Sequence, residues 1–236
     1  MQVDIWSDVV CPWCYIGKRR FEAALASFAH ADSIEIVWRS FELDPRAPAE
    51  RTGDYASRLS KKYGMSHERA MASLHHMTDV AAEEGLSFDF ARTRSGNTFD
   101  AHRLLHFALE RGGAAVQGAL KERLLLAYFS EGEPVGDRDT LVRLAGSVDG
   151  LDEAEVTDVL AGDAYADHVR ADETAAEELD ITGVPFFLVD RKFAVSGAQS
   201  VEVFTRVLDR AWEKSRPVIE VIAADGDVCD DGSCDV

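Results

Sequence analysis

The residues with the clearest chemical potential are Cys11 and Cys14, separated by Pro12 and Trp13. Two thiols at this spacing can close into a disulfide or supply half of a metal site. A bridge across two residues closes so small a loop that chain entropy gives it little value as a staple. As a disulfide, then, the pair suits turnover better than structure. A structural zinc needs four ligands, and the other two cysteines, Cys229 and Cys234, lie at the far end of the chain. We therefore read Cys11 and Cys14 as a redox couple and expect no metal.

The flanking residues say which elements hold the pair. Val3-Asp4-Ile5-Trp6 alternates apolar and polar residues, as a strand does. Beyond the motif, Phe21, Leu25 and Phe28 recur at helical spacing. The pair thus sits where a strand turns into a helix, with Pro12 suited to the first helical turn. The first N–H groups of a helix have no intrahelical partner, and the helix dipole concentrates positive charge there. Both favour a thiolate, the attacking species in disulfide exchange. Cys11, just outside the first turn, is expected to be exposed and to act as the nucleophile. Cys14, one turn deeper, is expected to be buried and to resolve the intermediate. Lys18 and Arg19 are further sources of positive potential.

Composition bounds the remaining possibilities. The chain has 236 residues, 46% of them hydrophobic and 29% charged, and a formal net charge of −18. It is long enough for one large domain or for a core with an insertion. Strong acidity argues against nucleic acid and against anionic lipid surfaces, both of which require basic patches. No stretch approaches the length of a membrane-spanning helix, and Asp4 and Asp8 interrupt any leader-like apolar run. We expect a cytoplasmic protein. In such a reducing compartment a Cys-x-x-Cys pair is more often catalytic than structural.

Along the chain, a second strand is expected at Ile34 to Trp38. From about Thr52 to Asp180 only helical periodicity is present. One helix carries Met71, Leu74, Thr78 and Ala81 on a face and stops at Gly85. The next carries Leu104, Leu105, Ala108 and Leu109 and stops at Gly112-Gly113. A third carries Leu120, Leu124 and Tyr128 and ends near Gly132. Further helices carry Leu141, Leu144 and Val148, then Val156, Val159 and Leu160 behind an Asp152 cap, then Val169 to Leu179. Strand character returns at Pro185 to Val189 and at Phe193 to Val195, close enough for a hairpin. A last helix follows Ser200, and a short extra strand is expected at Val218 to Ile222. The order predicts an α/β fold: a thioredoxin-like core with a central mixed sheet and a large all-helical insertion. We place the core at 1–48 plus 181–222, the insertion at 49–180, and a flexible acidic tail at 223–236.

Ser7 to Gly17, with Cys-Pro-Trp-Cys at its centre, resembles the active-site segment of the DsbA family of thiol-disulfide oxidoreductases, most closely its FrnE-like branch. Gly183-Val184-Pro185-Phe186-Phe187 resembles that family's cis-proline loop. Asn97 to Arg103 resembles a segment of the related 2-hydroxychromene-2-carboxylate isomerases. The resemblance implies that Cys11 is the nucleophile, Cys14 the resolving thiol, and Pro185 a cis-proline packed beside the disulfide. Pro12, Trp13 and Val184 would form the surface that meets a protein disulfide or dithiol. No bound cofactor is implied, and glutathione or a thioredoxin-type system would be the electron partner of a monomer or homodimer. Two other classes share these features, a glutathione-dependent isomerase or transferase on small aromatics and a redox-independent holdase chaperone.

Several residues invite weaker expectations. Cys229 and Cys234 are a candidate second redox pair. The aspartates around them fail the calcium-loop pattern. His102 and His106 lie four apart, but Arg103 stands where a zinc hydrolase needs Glu, so both are expected as surface or interface histidines. Asn97 and Thr98 are expected to cap the helix that follows. Trp6 and Tyr15 are expected in the core, and Trp13 at the surface beside Cys11.

Overall fold

Four short strands form one mixed sheet in the order β2-β1-β3-β4. The computed structural model describes residues 1–215, so the expected strand at Val218 to Ile222 and the tail with Cys229 and Cys234 lie outside the described residues. Strand β1 (Gln2–Ser7) leads through helix α1 (Pro12–Ala26) to β2 (Glu35–Ser40). A helical crossover of this kind makes the two strands parallel, with Ile5 opposite Trp38. Strands β3 (Phe186–Val189) and β4 (Phe193–Ser196) form a hairpin, and β3 runs antiparallel to β1 with Ile5 opposite Phe187. Asp190 and Arg191 both adopt positive φ in the turn, which matches the twist of a tight hairpin. Helix α8 (Val201–Ser215) closes the described chain. β2 starts one residue later than the alternation suggests and runs on to Ser40.

Between β2 and β3 lie six helices: α2 (Tyr55–Tyr63), α3 (His67–Glu83), α4 (Phe99–Leu126), α5 (Arg138–Gly146), α6 (Glu153–Ala161) and α7 (Ala166–Glu178). Helix α4 is broken at Gly112 and Gly113, whose backbone leaves the helical region and reaches φ 69° at Gly113. The expected stop at this pair is therefore a break between two helical pieces. The second piece continues into a π turn at Ala127–Glu131, ended by Gly132 at φ 76°. On α3 the buried positions are Ala70, Leu74, Met77 and Ala81, while Met71 is exposed. The expected face was rotated by one residue, because Met71 and Ala70 both fit helical spacing to Leu74 and only the smaller side chain faces the neighbouring helix.

Two apolar cores meet at α1. Phe21 and Ala24 join Val3, Ile5, Phe187, Phe204 and Leu208 between the sheet and α8. One turn earlier, Tyr15 and Ile16 join Leu104, Leu120, Leu124 and Phe129 in the core of the helical segment. The helix that begins at the cysteine motif is thereby clamped on both sides. On the opposite sheet face Trp6 packs with Ala176 of α7 and Ile181, and its indole N–H donates to the Asp172 carbonyl at 2.9 Å. Both aromatics are buried as expected.

β2 is an edge strand, and an open edge is a liability. Here α4 covers it. The Gln117 amide accepts from the Trp38 N–H and donates to the Trp38 carbonyl, each at 2.9 Å. Beyond it, Asp172 of α7 accepts from the Ser40 N–H at 2.8 Å.

Candidate active site

Cys11 is the N-cap of α1, extended at φ −95° and ψ 115°, and Pro12 opens the helix. The Cys14 N–H donates to the Cys11 carbonyl at 3.1 Å, and the Cys11 N–H donates to the Asp8 carbonyl at 3.3 Å. Both cysteines are free thiols. The Cys11 thiol donates to the Val184 carbonyl at 3.6 Å, within reach for sulfur. The Val184–Pro185 peptide is cis. So the fold brings the cysteine turn and the loop before β3 together, although 173 positions separate them in sequence. Gly17 permits this approach. A Cβ there would stand 3.0 Å from Pro185 Cγ.

The expected exposure of Cys11 is corrected by the structure. It is only 4% exposed, and Cys14 1%. The α2–α3 hairpin and the segment around Phe41 to Asp44 wall a cavity of about 810 Å³ over the motif. Cys11 opens into this cavity rather than onto the outer surface. Trp13, 37% exposed, lines it together with Val184, Tyr55 and the buried Tyr128. Pro12 lies in the same wall, mostly buried. Arg58 and Lys62 of α2 add cations to the lining. Arg58 donates to the Gly53 carbonyl at 2.6 Å and to Ser95 Oγ at 2.8 Å, neither of which is charged.

Beneath the cysteine turn lies a cluster of buried polar groups. Asp8 accepts from the Leu43 N–H at 2.8 Å. Its other oxygen stands 3.4 Å from His102 Nε2. Burial pushes the Asp8 carboxyl upward, but His102 and the Leu43 N–H outweigh it and leave it below the usual carboxylate range. Burial, with Cys11 alongside, pushes the Cys14 thiol well above the ordinary range. Lys121 of α4 is fully buried and donates to the Ser7 carbonyl at 3.4 Å. Burial lowers its ammonium to about 8.

Other expected residues fall differently. Lys18 and Arg19 do not face the thiols: Lys18 pairs with Glu22 at 2.5 Å and with Glu122 at 2.6 Å, and Arg19 pairs with the same two carboxylates. His102 and His106 are not surface residues. Both are buried, since the sheet edge and α7 cover this face of α4. His106 stands 3.1 Å from Ser40 Oγ and 3.0 Å from Asp172. Asn97 caps α4 by accepting from the Phe99 N–H at 2.9 Å, whereas the Thr98 side chain makes no capping bond. Arg103 is buried and tied to Asp100 at 2.7 Å and to the Ala164 and Gly162 carbonyls at 2.8 Å, which is a structural brace. Among the described residues no group of three or more His, Cys, Asp or Glu side chains is placed to hold a metal ion. Nor does any helix there have the length and apolarity to cross a membrane.

The motif spacing did not reveal Asp8, His102 and Lys121. The stripe Leu120, Leu124 and Tyr128 predicts the buried face of α4, yet Gln117 and Lys121 share that face. A lysine inside an apolar stripe was the available signal, masked because lysines are so seldom fully buried.

Comparison with known proteins agrees with this architecture. The DSBA-like thioredoxin domain family matches residues 2–209. YwbO of Bacillus subtilis strain 168 is 31% identical over 216 residues, covering 91% of this chain and 98% of that protein. The crystal structure of the probable DsbA oxidoreductase SCO1869 from Streptomyces coelicolor is 47% identical, with a TM-score of 0.84 over 98% of this chain and 97% of that one. The cytosolic disulfide reductase DsbM from Pseudomonas aeruginosa shares the fold, with a TM-score of 0.62 at 15% identity over 91% of this chain and all of that one. The chain belongs to the DSBA-like thioredoxin domain family.

Proposed function

We propose that this DSBA-like protein exchanges disulfides with protein substrates, with Cys11 as nucleophile and Cys14 as resolving thiol. The observation that carries this reading is the placement of Cys11. It caps a helix N-terminus, where positive potential favours a thiolate, and its sulfur opens into a walled cavity beside the Val184 carbonyl. Cys14 is deeper, and burial keeps it a thiol at neutral pH. One sulfur is ready to attack while the other is held back.

In the reducing direction the Cys11 thiolate attacks one sulfur of a substrate disulfide. A Cys11–substrate bond forms, and the second substrate sulfur leaves as a thiolate and takes a proton. Cys14 then loses its proton and attacks Cys11 Sγ. The intramolecular disulfide forms, the substrate's first sulfur leaves, and two electrons have passed to the substrate. The oxidising direction is the reverse. Pro12, Trp13 and Val184 supply the apolar surface and the backbone carbonyl that the substrate meets.

No resident cofactor is needed for these steps. Glutathione or a thioredoxin-type protein would restore the pair, in a reducing compartment where the thiols are the resting state. Arg58 and Lys62 favour a carboxylate-bearing thiol such as glutathione in the cavity of this otherwise acidic chain. The test is equilibration across a glutathione buffer series, with the oxidation state of Cys11 and Cys14 mapped by alkylation and mass. Catalysed thiol exchange on a protein disulfide is followed in parallel. A single two-electron transition and turnover that requires both thiols are expected. A pair that never oxidises, or turnover indifferent to both thiols, would refute the proposal.

A further inference from the structure

The dipeptide between the cysteines, Pro12-Trp13, carries no charge, and Lys18 and Arg19 are turned toward Glu22 and Glu122. A different cation reaches the cysteine turn from the helical segment. Lys121 of α4 is 0% exposed. Among the described residues no carboxylate comes within 4.0 Å of its nitrogen. Its polar contacts are the long bond to the Ser7 carbonyl and the Trp38 ring face at 5.5 Å. An ammonium so placed, with so few partners, is costly unless a negative charge arises nearby. Its contact at Ser7 lies at the end of β1, four residues before Cys11, and the charges that act on it most strongly are those of Cys14 and Lys18 on α1 and of Asp8 and Cys11 in the loop after β1. In the cluster beneath the cysteine turn, Ser7 Oγ, Asp8 Oδ1 and both ring nitrogens of His102 are buried without a hydrogen-bond partner among the described residues. Under-satisfied buried groups call for an explanation, and a redox role is one that recurs.

We propose that Lys121 is the buried counter-charge of the active-site thiolate, so that the helical segment sets the redox poise of the Cys11–Cys14 pair. This rests on the disulfide-exchange function proposed above.

When two glutathione molecules reduce the pair, an electron pair breaks the Cys11–Cys14 bond and glutathione disulfide forms. The two protein sulfurs then carry either two protons or one proton and one negative charge. The Lys121 ammonium stabilises the second of these states, in which a thiolate joins the Asp8 carboxylate, the one negative charge among these groups in the disulfide. It therefore favours the dithiol form and makes the couple more oxidising, as stabilisation of a reduced form does in general. Lys121 is a positioning charge and takes no part in bond making.

The test compares Lys121→Met with the wild type in the glutathione equilibrium, read at Cys11 and Cys14 by peptide mapping. Near pH 7 the variant should favour the disulfide by about tenfold, equivalent to about 30 mV. Near pH 9.5, above the value of about 8 for Lys121, the two proteins should converge. A purely structural defect would shift the equilibrium equally at both pH values. No shift near pH 7, or an equal shift at both, overturns the inference. If the variant does not fold, the wild type labelled with nitrogen-15 lysine supplies the answer. The Lys121 ammonium should titrate at higher pH in the dithiol form than in the disulfide form, and identical titration overturns the inference. Loss of the two-electron transition in the wild type itself would instead defeat the proposed function.

Discussion

Gly17 is the point of closest approach between α1 and Pro185. A methyl group there would meet Pro185 Cγ at 3.0 Å and Ala198 Cβ at 3.4 Å. Alanine would gain up to about 1 kcal/mol of helix propensity over glycine. Overpacking against a proline ring held by the sheet costs about 1–3 kcal/mol. Gly17→Ala should therefore lower stability by about 1 kcal/mol, measured by denaturant unfolding, and slow disulfide exchange by moving Val184 away from Cys11. The cysteine pair itself was legible from its spacing and its place before a helix. The burial of Cys11 was not, because the walls that cover it come from residues tens of positions away. Nothing local to Cys11 records them.

At the scale of elements, α4 carries two polar residues on its buried face, and each makes a prediction. Gln117 completes the outer edge of β2 through both Trp38 backbone groups. Gln117→Ala leaves a buried donor and acceptor unpaired and should cost about 2–4 kcal/mol, seen as a lower denaturation midpoint. Lys121 makes a prediction whose sign depends on pH. Its folded value of about 8 lies below the ordinary 10.5. Between those two values the unfolded chain binds a proton that the folded chain does not, so stability gained from this group rises with pH across that window. Lys121→Met should thus be the more stable protein near pH 7, by about 3 kcal/mol, with its advantage shrinking from about pH 8 to 10.5. Chemical denaturation of both proteins across that range reads the difference directly. Helical periodicity made the presence and the breaks of these helices readable, Gly112-Gly113 above all. It could not say which of two adjacent residues faces the neighbouring helix, and so Met71 was placed on the wrong side of α3.

For the molecule as a whole, the organising fact is that α1 belongs to two cores. Tyr15 and Ile16 enter the helical core, and Phe21 and Ala24 enter the core under the sheet. The sheet-based part and the helical segment therefore cannot loosen independently without exposing one side of the motif helix. Thermal unfolding followed by helix content and by aromatic environment should give coincident transitions, and two separated transitions would contradict this coupling. The family and the thioredoxin-like order of elements were visible in the sequence because the motif, the Val184-Pro185 loop and the run of helices each leave a local pattern. The buried cluster of Asp8, His102 and Lys121 left no shared pattern, only a single lysine in an apolar stripe. Its members come from the loop after β1 and from both pieces of the broken α4, and only the folded chain assembles them.

The central claim is a division of labour, with Cys11 attacking and Cys14 resolving. It is tested most directly by incubating Cys14→Ser with glutathione disulfide and mapping the products by mass. The variant should accumulate one glutathione on Cys11, because no second thiol can displace it. The wild type under the same conditions should pass through that adduct to the Cys11–Cys14 disulfide. A variant whose Cys11 stays unmodified, or a wild type that holds glutathione on Cys14 instead, would contradict the account.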